Sequence, residues 1–120
     1  MPAGALRMSR AAAENIIPSE TSVAELLAET MPKLAGRLHA GALQVPVQNG
    51  SLVDITVWLE RPATAEAINA AVQQAARGPL ARTLEYLVDP IVSSDVAQST
   101  YSSSFDSLAT MAAQDGKEAA

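Results

Sequence analysis

Across residues 51–60 apolar and polar side chains alternate. Val53, Ile55, Val57 and Leu59 fall on one face, and Asp54, Thr56, Trp58 and Glu60 on the other. A period of two predicts a half-buried strand. The Asn49-Gly50 pair ahead of it predicts a turn, because glycine takes positive φ without steric cost and asparagine tolerates it. Pro62 has no N–H to give a ladder and ends the strand. The period then changes. Ile68, Ala71, Val72 and Ala75 recur at steps of three and four, with Asn69, Gln73 and Gln74 on the other side, which predicts a helix with one buried stripe. Thr64 stands at the N-cap, and Glu66 follows in the first turn, where a negative charge suits the positive end of the helix dipole. Arg77 lies in the last turn, Gly78 is placed for a left-handed C′ residue, and Pro79 forbids continuation.

The flanking segments are patterned more weakly. Residues 1–9 have no period and predict an extended lead-in. The run RAAAENII is apolar and ends at Pro18; it suits a buried strand or a short helix, with a strand over residues 15–17 preferred. Ser22-Val23-Ala24-Glu25 has the spacing of a capping box, and Val23, Leu26, Leu27 and Met31 form a stripe that Pro32 closes. Residues 33–39 predict a connection carrying Gly36. Residues 40–47 predict a second strand with Leu43, Val45 and Val47 on one face. Residues 83–88 suit a short strand or a helical turn, broken by Pro90. The hydroxyl-rich stretch SSDVAQSTYSSSFD predicts strand edges separated by an exposed loop. Residues 108–113 predict a last strand, Asp115-Gly116 a turn, and the terminal KEAA, with nothing to bury, a frayed end. Helices and strands mix without strict βαβ alternation. The fold class is therefore α+β, a mixed or antiparallel sheet with helices packed on one face.

Composition narrows the function. A chain of 120 residues suits a single domain, and 48% hydrophobic residues with no low-complexity block make it globular. Aromatic residues are only 3% of the chain, so any core is built from Leu, Val, Ile and Ala. The net charge of −5, with eight basic residues scattered singly, argues against a nucleic-acid surface. No apolar run approaches the roughly 20 residues that span a bilayer. The first ten residues carry no continuous apolar stretch of the kind a secretory signal needs. The absence of cysteine removes disulfides, thiolate metal sites and cysteine nucleophiles, and fits the cytoplasm. His39, the one histidine, sits in a connection with no second histidine or carboxylate beside it, so it reads as a solvated loop residue rather than a base or metal ligand. Ser93, Ser94, Ser99, Ser102, Ser103 and Ser104 lack a GxSxG elbow and a matched base, and read as polar loop and strand edge. Thr21 and Ser22, hydroxyls at a predicted helix start, have two readings: an anion contact shared with free backbone N–H groups, or a plain cap.

Four segments carry a family resemblance: RAAAENIIPSET, RLHAGALQVPVQNGSLVDITVWLERPAT, AARGPL and PIVSSDVAQSTYSSSFDSLATM. In this order, over residues 7–115, they resemble the catalytic domain of the phosphorylating glyceraldehyde-3-phosphate dehydrogenases. The resemblance implies an α+β fold with helices on one face of a mixed sheet, and homotetramers whose sheets meet across a subunit interface. It implies an NAD-dependent oxidation of glyceraldehyde 3-phosphate with inorganic phosphate, of the glycolytic type, through a cysteine thiohemiacetal and a histidine base.

The resemblance covers only the later part of that domain, so residues 1–120 are expected to be a single partial domain. No glycine-rich dinucleotide turn is present, hence no Rossmann domain. The cysteine and histidine of the family are expected before residue 1, and an asparagine near the nicotinamide after residue 120. The chain accordingly offers no catalytic, cofactor-binding or metal-binding residue. NAD or NADP belongs to the full-length family, and without a cysteine this acyl chemistry is closed.

By resemblance, Thr21 and Ser22 match a Thr-Gly pair that holds substrate phosphate, with serine in place of glycine. Gln44 and Met8 match two arginines and bring no charge, and neither replaces a guanidinium fork. Arg7 and Arg10 match further arginines that would anchor a loop. Trp58 lies opposite the Val/Ile row, where a single aromatic residue is ordinary. By resemblance that sheet face can lie at a subunit interface, which gives interface anchoring as the lesser reading. Two readings follow: a partial dehydrogenase-like protein inactive as an isolated chain, or a non-catalytic assembly module. The second would pair with itself or with a full-length relative, since an open sheet edge recruits partners. A remnant without selected function is the third.

Overall fold

The computed structural model describes residues 3–113 and 118–119. The chain divides into two compact units, Met1–Gln48 and Asn49–Ala120. Its elements are α+β, with antiparallel and parallel strand pairs and helices packed alongside.

In the first unit, α1 (Ala3–Met8) lies against β1 (Ile17–Ser19), which pairs antiparallel with β2 (Ala42–Gln44). The lead-in expected to be extended is thus helical: AGALRM carries Ala, Leu and Met, which lose little freedom in a helix. β1 starts two residues later than expected and runs through Pro18. Residues 11–15 close instead into a turn, in which Glu14 N–H and the Asn15 amide both donate to Ala11 O. Proline is tolerated because a two-stranded ladder is edge on both sides. Ile17 is 4% exposed, and it is the one buried hydrophobic side chain among the described residues.

α2 (Val23–Thr30) follows the expected boundaries, but the capping box is absent. Ser22 makes no side-chain cap; its carbonyl accepts from Leu26 N–H, and the Thr21 hydroxyl accepts from Val23 N–H at 3.3 Å. The residue before the cap has taken over the local donor, as short hydroxyl side chains do. A 3₁₀ turn over Pro32–Leu34 occupies the start of the predicted connection. β2 is only three residues long, and Leu43, Val45 and Val47, expected on a buried face, are all exposed.

In the second unit, Gly50 has φ +85° and its Cα lies under Ser93, where an added Cβ would sit 3.0 Å from the Ser93 carbonyl oxygen. The turn is therefore fixed by both backbone angle and close approach. The alternating stretch after it does not form the predicted long strand. Only β3 (Val57–Trp58) is paired, antiparallel with β6 (Glu118–Ala119), and residues 51–60 are exposed throughout. A period-two pattern fixes which residues share a face, but a ladder needs a neighbour, and Glu118–Ala119 pairs with Val57 and Trp58 alone. Glu118–Ala119 pairs where a frayed tail was expected; the Asp115-Gly116 turn lies outside the described residues.

α3 (Ala65–Arg77) has the predicted bounds and start. The Thr64 hydroxyl accepts from Ala67 N–H at 3.2 Å. The end differs: Gly78 has φ −114° and ψ −114°, not the left-handed geometry, and its N–H donates to Ala75 O. Ile68, Val72 and Ala75 are half-buried, whereas Ala71 is exposed and Asn69 turns inward.

α3 packs against β4 (Leu84–Leu87), which pairs in parallel with β5 (Ser103–Asp106). A parallel pair needs a long crossover, and residues 88–102 provide it, including a 3₁₀ turn over Asp95–Gln98. Tyr86 and Phe105, opposite one another in the register, stack with ring centroids 5.8 Å apart. Past β5 the predicted last strand over residues 108–113 is reduced to one bridge residue, Ala112, after a turn and irregular chain. There the Asn69 amide donates to Ser107 O at 2.9 Å, and the Thr110 hydroxyl donates to Asn69 Oδ1 at 2.6 Å. These bonds hold the segment against α3.

Glu66 has its carboxyl held below the usual range by its own backbone N–H and then by the Thr64 hydroxyl. Its folded pKa is lowered, so its support of α3 is complete above the ordinary carboxylate range and is lost as pH falls through the lowered value. Thr64→Ala removes both the cap and that bond. It should cost about 1 kcal/mol and should flatten the acid limb of a thermal-stability profile; an unchanged acid limb would refute the link. Gly50→Ala should cost about 1–2 kcal/mol, since it forces a side chain into a positive-φ position beneath Ser93, measured by urea unfolding.

Candidate functional site

The residues assigned to substrate phosphate lie in the first unit, around the β1–β2 ladder and the start of α2. Thr21 is half-buried, and Ser22 and Gln44 are exposed. Thr21 and Ser22 follow the Ser19 end of β1, where Ser19 opposes Ala42. Gln44 stands at the other end of the ladder, opposite Ile17. The ladder therefore joins the three through β1 but places Gln44 several residues from the helix start. The Thr21 hydroxyl already accepts from Val23 N–H, which takes one of the free donors an anion would use.

Met8, the other residue expected to stand in place of an arginine, closes α1 beside the same ladder. Its thioether sulfur accepts from the Ser19 hydroxyl at 3.8 Å. A thioether is a weak acceptor with no donor, so this contact positions Ser19 and cannot attract an anion. Arg7 is in α1, and Arg10 N–H donates to Arg7 O, consistent with a local turn. His39 is exposed in the connection before β2.

In the second unit, an open depression of about 350 Å³ is lined by Glu85, Asp95, Ser99 and Tyr101 with Leu87 and Ile91. Glu85 Oε2 accepts from Ser99 Oγ at 3.2 Å and from Ser104 Oγ at 2.8 Å, and Asp95 Oδ2 accepts from Val92 N–H at 2.8 Å. The serines are thus spent as donors to a carboxylate, not poised as nucleophiles. Two carboxylates and no cation repel a phosphate. Among the described residues no group of three or more His, Asp or Glu is placed to hold a metal ion, and no helix is long and apolar enough to cross a membrane.

Asn69 is the residue whose role the pattern hid, since a polar side chain inside a helix reads as solvent-facing. Its low helix propensity was the available signal: asparagine in mid-helix is disfavoured unless its amide has work elsewhere.

Comparison with known proteins bears on the whole chain. The family described as glyceraldehyde 3-phosphate dehydrogenase, C-terminal domain, matches residues 1–119. Glyceraldehyde-3-phosphate dehydrogenase 1 of Bacillus cereus is 46% identical over 111 residues, covering 92% of this chain and 33% of the relative. The enzyme of Geobacillus stearothermophilus is 45% identical over 117 residues, covering 98% and 35%, and that of Mycobacterium avium is 48% identical over 102 residues, covering 85% and 30%. The chain spans about a third of the length of these relatives. With the family matched from end to end at this level of identity, the chain belongs to the glyceraldehyde-3-phosphate dehydrogenase family, within its C-terminal catalytic domain.

Proposed function

We infer that the chain is a part of a glyceraldehyde-3-phosphate dehydrogenase-type catalytic domain and is inactive by itself. The observation that carries this reading is the absence of any cysteine from residues that match the catalytic domain. An acyl-transfer oxidation of this type needs a thiolate to form the thiohemiacetal and to carry the acyl group to phosphate. None of the 120 residues supplies it, and no glycine-rich turn supplies a dinucleotide site. Within a longer protein that brings these parts, the chain would contribute to NAD- or NADP-dependent oxidation of a phosphorylated aldehyde in the cytoplasm. Mixed with glyceraldehyde 3-phosphate, inorganic phosphate and NAD, the chain alone should give no NADH absorbance above buffer. Turnover that survives repurification would overturn the reading.

Thr21 and Ser22 remain the candidates for a phosphate contact, supported by the helix start they flank and by their match to the family pair. Gln44 provides a neutral amide where charge is expected. Gln44→Arg should tighten inorganic phosphate binding about tenfold, in line with the extra strength of a charge-assisted bond. The readout is phosphate-dependent amide shifts at residues 21–24. Shifts confined to other residues would remove the site from this segment.

A second reading, association with another copy or with a full-length relative, is favoured by one observation. The apolar residues after Gly50 that would fill a sheet are instead exposed: Leu52 is 86% and Val53 77% exposed. Groups of this kind on a soluble protein mark an interaction surface.

A further inference from the structure

We propose that Asn49-Gly50 is a site of self-modification: the Gly50 nitrogen attacks the Asn49 side chain and converts the asparagine to aspartate and isoaspartate while the chain stays folded.

The step needs only water and hydroxide. Hydroxide takes the Gly50 amide proton, and the nitrogen adds to Asn49 Cγ, a reaction within one chain that gains from proximity. The new C–N bond closes a five-membered succinimide, and the side-chain nitrogen leaves as ammonia with a proton from water. Water then opens the ring. Attack at Cγ restores the main chain and leaves aspartate; attack at the Asn49 main-chain carbonyl carbon leaves isoaspartate, with the chain running through Cγ. Net, an amide and a water become a carboxylate and ammonium, and nothing is oxidised or reduced.

The chain has three asparagines, and the fold treats them differently. Asn69 is half-buried in α3, with its amide donating to Ser107 O and its oxygen accepting from Thr110. The helix also engages the nitrogen of Ala70, which would have to attack. Asn15 is half-buried, its amide donates to Ala11 O at 2.8 Å, and the branched Ile16 side chain shields the next nitrogen. Asn49 and Gly50 are both exposed, and residues 49–56 belong to no helix or strand. Among the described residues neither the Asn49 amide nor the Gly50 N–H has a hydrogen-bond partner. The attacking group and its target are thus free together at this pair alone.

The fold also keeps the pair reactive. A side chain after Asn49 would shield the attacking nitrogen, but Gly50 has φ +85° and would place a Cβ 3.0 Å from the Ser93 carbonyl oxygen. The turn therefore demands the one residue that leaves the nitrogen bare. The products matter to it: each adds a negative charge, and isoaspartate lengthens the main chain by one carbon just before the residue held against Ser93.

The test ages the 120-residue chain at mildly alkaline pH and follows it by isoelectric focusing and peptide mapping. Cleavage after glutamate separates the three asparagines, since Glu14 and Glu20 flank Asn15, Glu29 and Glu60 flank Asn49, and Glu66 and Glu85 flank Asn69. An acidic form should accumulate, with aspartate and isoaspartate both at position 49. It should appear there at least about tenfold faster than at Asn15 or Asn69, a difference that one or two retained hydrogen bonds supply. The rate at Asn49 should lie within about tenfold of its rate in strong denaturant, because no local opening has to come first. Asn49→Gln keeps an exposed amide but requires a slower six-membered ring; it should abolish the acidic form and leave the circular dichroism spectrum unchanged. Equal conversion at the three asparagines would overturn the proposal, as would aspartate without isoaspartate, which marks direct hydrolysis. So would a folded chain protected at Asn49 by more than that tenfold margin, or an acidic form that persists in Asn49→Gln.

Discussion

Asn69 joins the parts of the second unit that the rest of it depends on. Its amide reaches the Ser107 carbonyl, and its oxygen accepts from Thr110, across roughly forty positions of sequence. Ser107 itself is buried, and both its N–H and its hydroxyl converge on the Leu87 carbonyl at the end of β4. One polar chain thus ties helix, parallel ladder and following turn together. A half-buried polar group left unpaired there costs more than a lost surface bond, so each member fixes the next. The Tyr86–Phe105 stack closes the same ladder with apolar area.

Away from that anchor the chain is thinly covered. Apolar stripes form as the sequence dictates, yet Val23 and Leu26 on α2, Met31 just past its end and Leu43 on β2 are exposed. A helix or strand acquires its pattern locally, but burial needs a second layer. The chain corresponds to about a third of its relatives' length.

The chemistry follows the same logic. An oxidoreductase of this family needs a thiolate, a hydride acceptor and a charged clamp, and these groups react only when held together. The residues present hold local structure: Thr21 caps a turn, Met8 orients Ser19, and Ser99 and Ser104 satisfy Glu85. Each is a supporting contact rather than a reacting group. The inactivity proposed for the isolated chain is therefore compatible with its family membership.

Local physics was legible in the sequence where the stabilising partners lie within a few residues. The α3 start was readable because the Thr64 cap bonds three residues ahead. The Asn49-Gly50 turn was readable because positive φ favours glycine. The family was readable because its motifs occur in order, and the missing cysteine because composition alone reveals it. The Ser22 capping box was misread because two adjacent hydroxyls compete for one set of donors, and spacing does not say which wins. Only the tertiary structure decided the length of the strand after Gly50, the inward turn of Asn69 and the shortening of the last strand to a single bridge residue. Each of these depends on a partner tens of residues away, and hydrophobic period records which face is apolar, not whether anything arrives to cover it.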